Sequence, residues 1–360
     1  MILTNNTSMI ADWSLGYQKD GRDILVIVIK STYDIPEDED NVVPQLSEEQ
    51  MFLVQADISI GEPGYSSVLY ETDYSLFKPY CDVLFNGCAH SFYGELVTSL
   101  DVSLQVGGMH KEFRVKGNRF WNGFTIEPFS VMPISYDNAF GGLDNTDVKK
   151  MHFFRENPIG KGFSYHKKNL KDISLPNTEE IGKPVRIPDG KYKPMALGSI
   201  SRTHPERIQY AGTYDKEWVA NRMPFYPDDF DFRYFQSAPA EQQIPYVQGG
   251  ERVVLTNLSA KGIQQFYLPK FICPVTFIMN RGINQQVNPV VDTLLIEPEY
   301  KRFSMVARVN LPLKNDMFDV KEVVVGEMPR IWHHKQRSPN KQYYNSFADI
   351  VAQKSKGEIK

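Results

Sequence analysis

Residues 24–33 read Ile-Leu-Val-Ile-Val-Ile-Lys-Ser-Thr-Tyr, with no polar side chain before Lys30. A largely β-branched run of that length predicts a strand buried on both faces. Residues 96–106 carry a different pattern: Leu100, Val102, Leu104 and Val106 alternate with Asp101, Ser103 and Gln105. Such alternation predicts a strand with one face in water. Gly107-Gly108 turns it into 111–115, where Phe113 and Val115 share a face. A further strand is expected over 52–60, closed by Gly61-Glu62-Pro63-Gly64. Residues 81–85 are another, and Asn86-Gly87 after them is the strongest short hairpin signal, because both residues tolerate positive φ. These elements predict a β-meander through about residue 135.

Between about 137 and 250 the periodicity fades, and Gly and Pro become dense. Only 215–221 predicts a helix, with Asp215 placed to cap it ahead of Glu217 and Trp218. The aromatics in this stretch argue for order, since disordered segments are poor in them. Strands resume at 252–258, 264–268 and 275–279, with Asn280-Arg281-Gly282 as a turn. Residues 290–296 and 303–309 are expected as a hairpin across Glu297-Pro298-Glu299-Tyr300-Lys301. The fold class expected is mainly β: two antiparallel sheets, sandwich-like, bridged by a long ordered, aromatic-rich loop segment with one or two short helices. The expected organisation is one domain over 1–325, with an N-terminal sheet (about 20–135), a loop-rich middle (about 137–250) and a C-terminal sheet (251–325). A basic polar tail, 326–360, follows, with a short helix expected over 343–354.

Composition narrows the class. Hydrophobic content of 41% and charged content of 23% are those of a soluble globular protein. No apolar run approaches the roughly 20 residues that span a bilayer, and the N-terminus has no signal-peptide pattern. Cys81, Cys88 and Cys273 are too few and too scattered for a disulfide framework, so the cytoplasm is the expected compartment. A net charge of −4 argues against nucleic acid as partner. The charge is unevenly spread: residues 31–50 hold seven acids and no Lys or Arg, and 328–360 hold seven bases against two acids. Solvated loops and tails look like this as often as steering surfaces do.

The chemistry-bearing stretch is 70–90, Tyr-Glu-Thr-Asp-Tyr-Ser-Leu-Phe-Lys-Pro-Tyr-Cys-Asp-Val-Leu-Phe-Asn-Gly-Cys-Ala-His. Glu71, Asp73 and Asp82 flank Lys78, which reads either as a carboxylate site or as a salt-bridged structural corner. The first reading makes an enzyme acting on carbohydrate or peptidoglycan through Asp73 and Asp82; the second, preferred here, leaves a binding protein. Cys81, Cys88 and His90 lie close enough to raise zinc, but no second Cys/His pair completes a tetrahedral set nearby. Gly141-Gly142 and Gly249-Gly250 lack the strand–loop–helix setting of a phosphate site. No catalytic residue, metal or cofactor is therefore expected. What remains is the aromatic middle. Tyr136, Phe140, Asn157, Trp218, Asp229, Phe230, Asp231 and Phe235 are candidates for partner contact, because such side chains bury large area with few rotors. The alternative for each aromatic is a staple holding a loop to a sheet.

The same stretches resemble one family in order and spacing. They are Lys78-Pro79-x-x-Asp82-Val83-x-x-Asn86-Gly87-x-Ala89-His90, Tyr136-x-x-Ala139-Phe140-Gly141-Gly142, Asn157-Pro158-x-Gly160-x-Gly162-Phe163, Ala211-Gly-Thr-Tyr-Asp215-x-x-Trp218, Asp229-Phe-Asp231-x-Arg233-x-Phe235 and Val291-Asp292-Thr293-Leu294-x-Ile296-x-Pro298. The chain resembles the domain of unknown function 2169 (DUF2169) over about residues 20–325. Relatives tend to carry Trp before an Arg in the last strand, where this chain has Ala307 before Arg308. The resemblance implies a cytoplasmic adaptor or chaperone of bacterial type VI secretion. Such a protein would load a secreted effector, or its PAAR-like tip domain, beside the VgrG spike. A carbohydrate-binding β-sandwich is the remaining alternative.

Overall fold

The structure, a computed structural model, describes residues 1–37, 43–123, 125–147, 149–166, 170, 173–314 and 317–328, with three single positions beyond. The helix expected over 343–354 lies outside the described residues, apart from two single positions within it.

The protein is mainly β, built around a six-stranded sheet. Its longest strand is Asp23–Asp34, the run the apolar pattern identifies, and Leu25 through Ile29 are fully buried. On one side it pairs with Ile10–Tyr17, the edge of the sheet; on the other it pairs with Arg302–Pro312 in continuous register from Asp34↔Arg302 to Ile24↔Pro312. Arg302–Pro312 forms the expected hairpin with Val290–Glu297. Cys81–Phe85 then joins in parallel, with Asp82 opposite Thr293, and Gln243–Ile244 closes the far edge. The first and last thirds of the chain thus share one sheet and do not make one sheet each.

Two smaller sheets cover the inner face of this sheet, and the sandwich-like arrangement follows. A five-stranded antiparallel sheet contains the expected hairpin Ser99–Val106/Met109–Lys116, with Arg252–Thr256 and Ile263–Tyr267 beyond it. Its Val102, Leu104, Phe113, Val115, Val253 and Leu255 pack on Val83, Phe85, Leu294, Phe303 and Met305. A four-stranded sheet with Val275–Met279 and Val320–Val325 at its centre lays Val275, Phe277, Val323 and Val325 on Leu25, Ile27, Ile29, Val309 and Leu311. The outer face carries Val26, Val28, Lys30, Val306 and Arg308 and is covered by irregular chain. Leu53, Leu76 and Tyr74 come from the segment before Cys81, and Tyr226, Phe232, Phe235 and Ala238 come from the middle of the chain.

Two local expectations are corrected. Asn86-Gly87 is not a hairpin turn, because Gly87–His90 pairs with Val131–Ile134 and not with Cys81–Phe85. Neither residue takes positive φ, so the dipeptide only carries the chain from one sheet into a separate ribbon. Of 52–60, only Ile58–Ser59 is strand. The preceding residues lie across the sheet's outer face, where Leu53 meets Val28 and Val306, and make no ladder. The helix at Lys216–Asn221 forms as expected, with the Asp215 side chain accepting from the Trp218 N–H.

Candidate functional site

Four strands of the central sheet bring charge to the covered outer face. Lys30 Nζ donates to Asp73 Oδ2 at 2.8 Å, and Lys78 Nζ donates to Asp82 Oδ2 at 2.8 Å and to Thr293 Oγ1 at 3.0 Å. Arg308 pairs with Asp292 and also donates to the Asp73 carbonyl at 2.5 Å. Three cations meet three carboxylates, and none of the six side chains is more than 8% exposed. An isolated charge here would cost several kcal/mol of desolvation, so the equal count is what makes the burial tolerable.

Asp82 sits at the centre with both oxygens filled. Besides Lys78 it accepts from Gln236 Nε2 (2.6 Å), the Ser237 N–H (2.8 Å) and hydroxyl (3.1 Å), and the Ala238 N–H (3.1 Å). The cavity beside it, walled by Lys30, Asp73, Lys78, Ser199 and Arg308, holds about 30 Å³. That is room for about one water and no sugar ring. Of the three acids expected around Lys78, only Asp82 pairs with it: Asp73 goes to Lys30, and Glu71 goes to Arg207 and Arg202. The Arg207 guanidinium grips Glu71 with two N–H···O bonds of 2.7 and 3.0 Å and also donates to the Tyr234 and Ile200 carbonyls. Asp82 thus takes its cation from within the stretch, whereas Asp73 and Glu71 take theirs from distant parts of the chain.

Tyr136, Phe140, Asn157 and Phe230 lie inside the protein, so they are staples and not surface contacts. Asn157 is a knot. Its Nδ2 donates to the Tyr136 carbonyl (2.8 Å) and the Phe140 carbonyl (3.1 Å), and its own carbonyl accepts the Gly142 N–H (2.8 Å). Phe140–Gly141 pairs in parallel with Lys161–Gly162, and the Trp121 indole N–H closes the unit on the Gly162 carbonyl. Gly160 is required here, because a Cβ would come within 2.6 Å of the Ala139 carbonyl oxygen.

The second aromatic cluster gathers around Phe230, which stacks on Tyr226 at 4.2 Å and meets Phe232, Tyr234 and Phe235 edge-on. Asp229 is exposed and holds the 212–213 turn by accepting from the Thr213 N–H (2.9 Å) and hydroxyl (2.7 Å). Asp231 accepts from the Arg233 N–H and pairs with its guanidinium at 2.7 Å. Trp218 is half-buried, with its indole N–H on the Phe225 carbonyl. Phe235 is half-buried against Leu76 and Val26. Of the eight contact candidates, each therefore has a structural duty inside this chain.

Cys88 and His90 share a face of their strand, and His90 Nε2 lies 2.6 Å from Glu299 Oε1. Burial, with Glu299 beside it, pushes the Cys88 thiol up to about 11; burial raises Cys273 to about 11 and Cys81 well above its ordinary value. Among the described residues no group of three or more His, Cys, Asp or Glu is set to hold a metal ion. No helix among them is long and apolar enough to cross a membrane.

What stays open is an edge. Ile10–Tyr17 ends the six-stranded sheet, and among the described residues no strand pairs with its outer side. Leu15 and Tyr17 on it are 46% and 43% exposed. No strand is expected here from the apolar runs, although Ala11, Trp13, Leu15 and Tyr17 alternate with Asp12, Ser14 and Gly16. Lys30, Asp292, Arg207 and Arg308 are likewise missed as partners of the corner. A signal for two of them exists: Lys30 follows six apolar residues, and Arg308 lies between Val306-Ala307 and Val309.

A family model described as an uncharacterized protein conserved in bacteria (DUF2169) matches residues 20–308. No curated protein and no solved structure matches the chain.

Proposed function

Since the chain belongs to the DUF2169 family, we propose that it is a non-enzymatic accessory protein of type VI secretion. In this reading it is an adaptor that holds a secreted effector or its PAAR-like domain for loading onto the VgrG spike. One contrast supports it. The acids that an enzyme would need, Asp73 and Asp82, are enclosed and hydrogen-bonded within the chain, whereas an eight-residue strand edge lies open to solvent. An open edge offers a row of N–H and C=O groups, and the ligand that complements such a row is another polypeptide. The motif residues then serve to hold the edge and its surroundings rigid, which lowers the entropy cost of binding.

The test is affinity capture of the tagged full chain from the bacterium that makes it, followed by mass spectrometry. A secreted toxin or spike-tip protein encoded nearby is the expected partner. Turnover of a glycan or peptidoglycan by the purified protein, lost in Asp73→Ala, would replace this reading with the hydrolase. Retention of a glycan alone, with no protein partner, would replace it with a carbohydrate-binding module.

A further inference from the structure

Residues 191–194 and the start of the helix Pro205–Ile208 wall a cleft of about 420 Å³, within the ordinary range for an organic ligand. Phe154 and Tyr192 make its aromatic walls, and both are held edge-on against the buried Phe140, at 5.1 and 4.9 Å. Tyr136 lines its floor. The ring is a staple and the residue only 6% exposed, yet its hydroxyl bonds to nothing among the described residues. That oxygen is not among the orphaned side-chain atoms sealed from solvent, so a group entering the cleft can reach it. Burial raises the pKa of the phenol, and so do Glu241 and Glu206 of the cleft walls, which places the hydroxyl on the cleft side of the ring.

Glu156, Glu206 and Glu241 bring three carboxylates to this cleft, and cations balance them unequally. Glu241 is held by Lys111 at 2.6 Å and also by Lys193. Glu206 accepts the Ala240 N–H at 2.9 Å, but no cation pairs with it among the described residues. The same holds for Glu156, which is exposed. His204, beside both, does not balance them: its Nδ1 accepts the Glu206 N–H, and burial lowers its pKa, so the ring is neutral at pH 7. An unpaired phenol oxygen and two unbalanced carboxylates thus share one aromatic cleft.

We propose that this cleft takes an arginine side chain of the client polypeptide, with the guanidinium donating to Glu206 and to the Tyr136 oxygen and lying against the aromatic walls. A guanidinium has five donors in a plane and no acceptor, so it serves a carboxylate and a phenol oxygen together and stacks on a ring. An anion would be repelled by Glu156 and Glu206, and a neutral group would leave both unbalanced. The inference rests on the adaptor reading. It adds recognition of a side chain to the recognition of backbone that the open edge offers.

The probe is a displayed library of random linear peptides, selected on the full chain, followed by one selected peptide made with Arg and with citrulline, its uncharged isostere. Three variants are read beside the wild type. Tyr136→Phe removes only the hydroxyl, Glu206→Gln keeps an acceptor for the Ala240 N–H, and Lys191→Ala removes the exposed cation of the cleft wall. Circular dichroism and melting temperature establish that each is folded. Selected peptides should share an Arg, and citrulline should weaken binding about tenfold or more. Glu206→Gln should cost about tenfold and Tyr136→Phe about threefold, whereas Lys191→Ala should strengthen binding about twofold. Selected peptides without Arg, equal binding of the citrulline peptide, or an affinity unchanged by Tyr136→Phe or by Glu206→Gln overturns the site, and a client still captured from cells would leave the adaptor reading intact. Weaker binding in Lys191→Ala also overturns it, by pointing to an anionic ligand. Stronger binding in Arg330→Gln/Arg337→Gln does so too, by giving the cleft to this chain's own tail.

Discussion

Lys78 and Asp82 meet at 2.8 Å, one turn of loop apart in sequence and with neither side chain more than 3% exposed. Asp82→Ala leaves the buried Lys78 ammonium with the Thr293 hydroxyl as its remaining bond and orphans the donors of Gln236, Ser237 and Ala238. The expected loss is about 3–5 kcal/mol, the usual result of removing one partner of a buried pair. Urea unfolding measures it. The double variant Lys78→Met/Asp82→Leu should recover only part of that loss, because the other donors to Asp82 would still face an apolar group. Full recovery would mean that the network around Asp82 contributes little beyond the pair.

Arg207 and Glu71 supply a test of geometry at constant charge. The guanidinium holds the carboxylate with two bonds and two main-chain carbonyls besides. Lys has one nitrogen and cannot span these acceptors. Arg207→Lys should therefore cost about 2–3 kcal/mol, and the thermal midpoint should fall accordingly. A change below about 0.5 kcal/mol would show that charge alone suffices there.

Asn157 should discriminate between loss of a donor and reversal of its polarity. Asn157→Ala removes the N–H groups from the Tyr136 and Phe140 carbonyls, at a cost of about 1–3 kcal/mol. Asn157→Asp keeps the shape but points a negative oxygen at two carbonyl oxygens. It should be the worse of the pair, and the Trp121 fluorescence, bound into the same unit, should report its loss first. Equal stability of the two variants would contradict the assigned orientation of the amide.

Lys111 gives the pH dependence a sign. Burial disfavours its ammonium and lowers its pKa to about 8 from the ordinary 10.5, although Glu241 lies 2.6 Å away. A group whose pKa falls on folding contributes its stability above the unfolded value and loses it as the pH drops through the folded one. Relative to Lys111→Met, the wild-type protein should therefore gain stability as the pH rises from about 8 to 10.5. Denaturant midpoints of both proteins at three pH values across that window provide the comparison. Parallel curves would sink the assignment.

The three thiols should be slow. Cys88 and Cys273 are raised to about 11, chiefly by burial, and burial also raises Cys81 well above its ordinary value. A thiol reagent at neutral pH should modify the native protein far more slowly than the urea-unfolded chain, since only the thiolate attacks. Burial favours the protonated form, so the stabilising contribution is present below the ordinary value of 9.0 and is lost as the pH rises towards 11.

The strands were legible in the sequence where period and composition agree. Asp23–Asp34 and the Ser99–Val106/Met109–Lys116 hairpin form as patterned, because nothing non-local competes with them. Asn86-Gly87 shows the limit: a local turn preference of a kcal/mol or so yields to the parallel pairing of Cys81–Phe85 with a strand two hundred residues away. The candidate site was half legible. The acids of the corner and Lys78 were readable from clustering, but the other cations were not, since Lys30, Arg207 and Arg308 arrive by tertiary folding. The aromatics were visible as a class, while their inward direction was not, because loop aromatics carry no periodicity to orient them.

The pairing of Asp23–Asp34 with Arg302–Pro312 has a consequence for how the protein is made. Ser31 finds its hydrogen-bond partner, the Met305 carbonyl, 274 residues later in the chain. During translation the most apolar strand of the molecule leaves the ribosome early and waits, with one side unpaired, until most of the polypeptide has followed. Nascent chains should thus depend on cellular holdases. A message truncated before the codon for Arg302 should yield only aggregate or degraded product, however intact its first two hundred residues are.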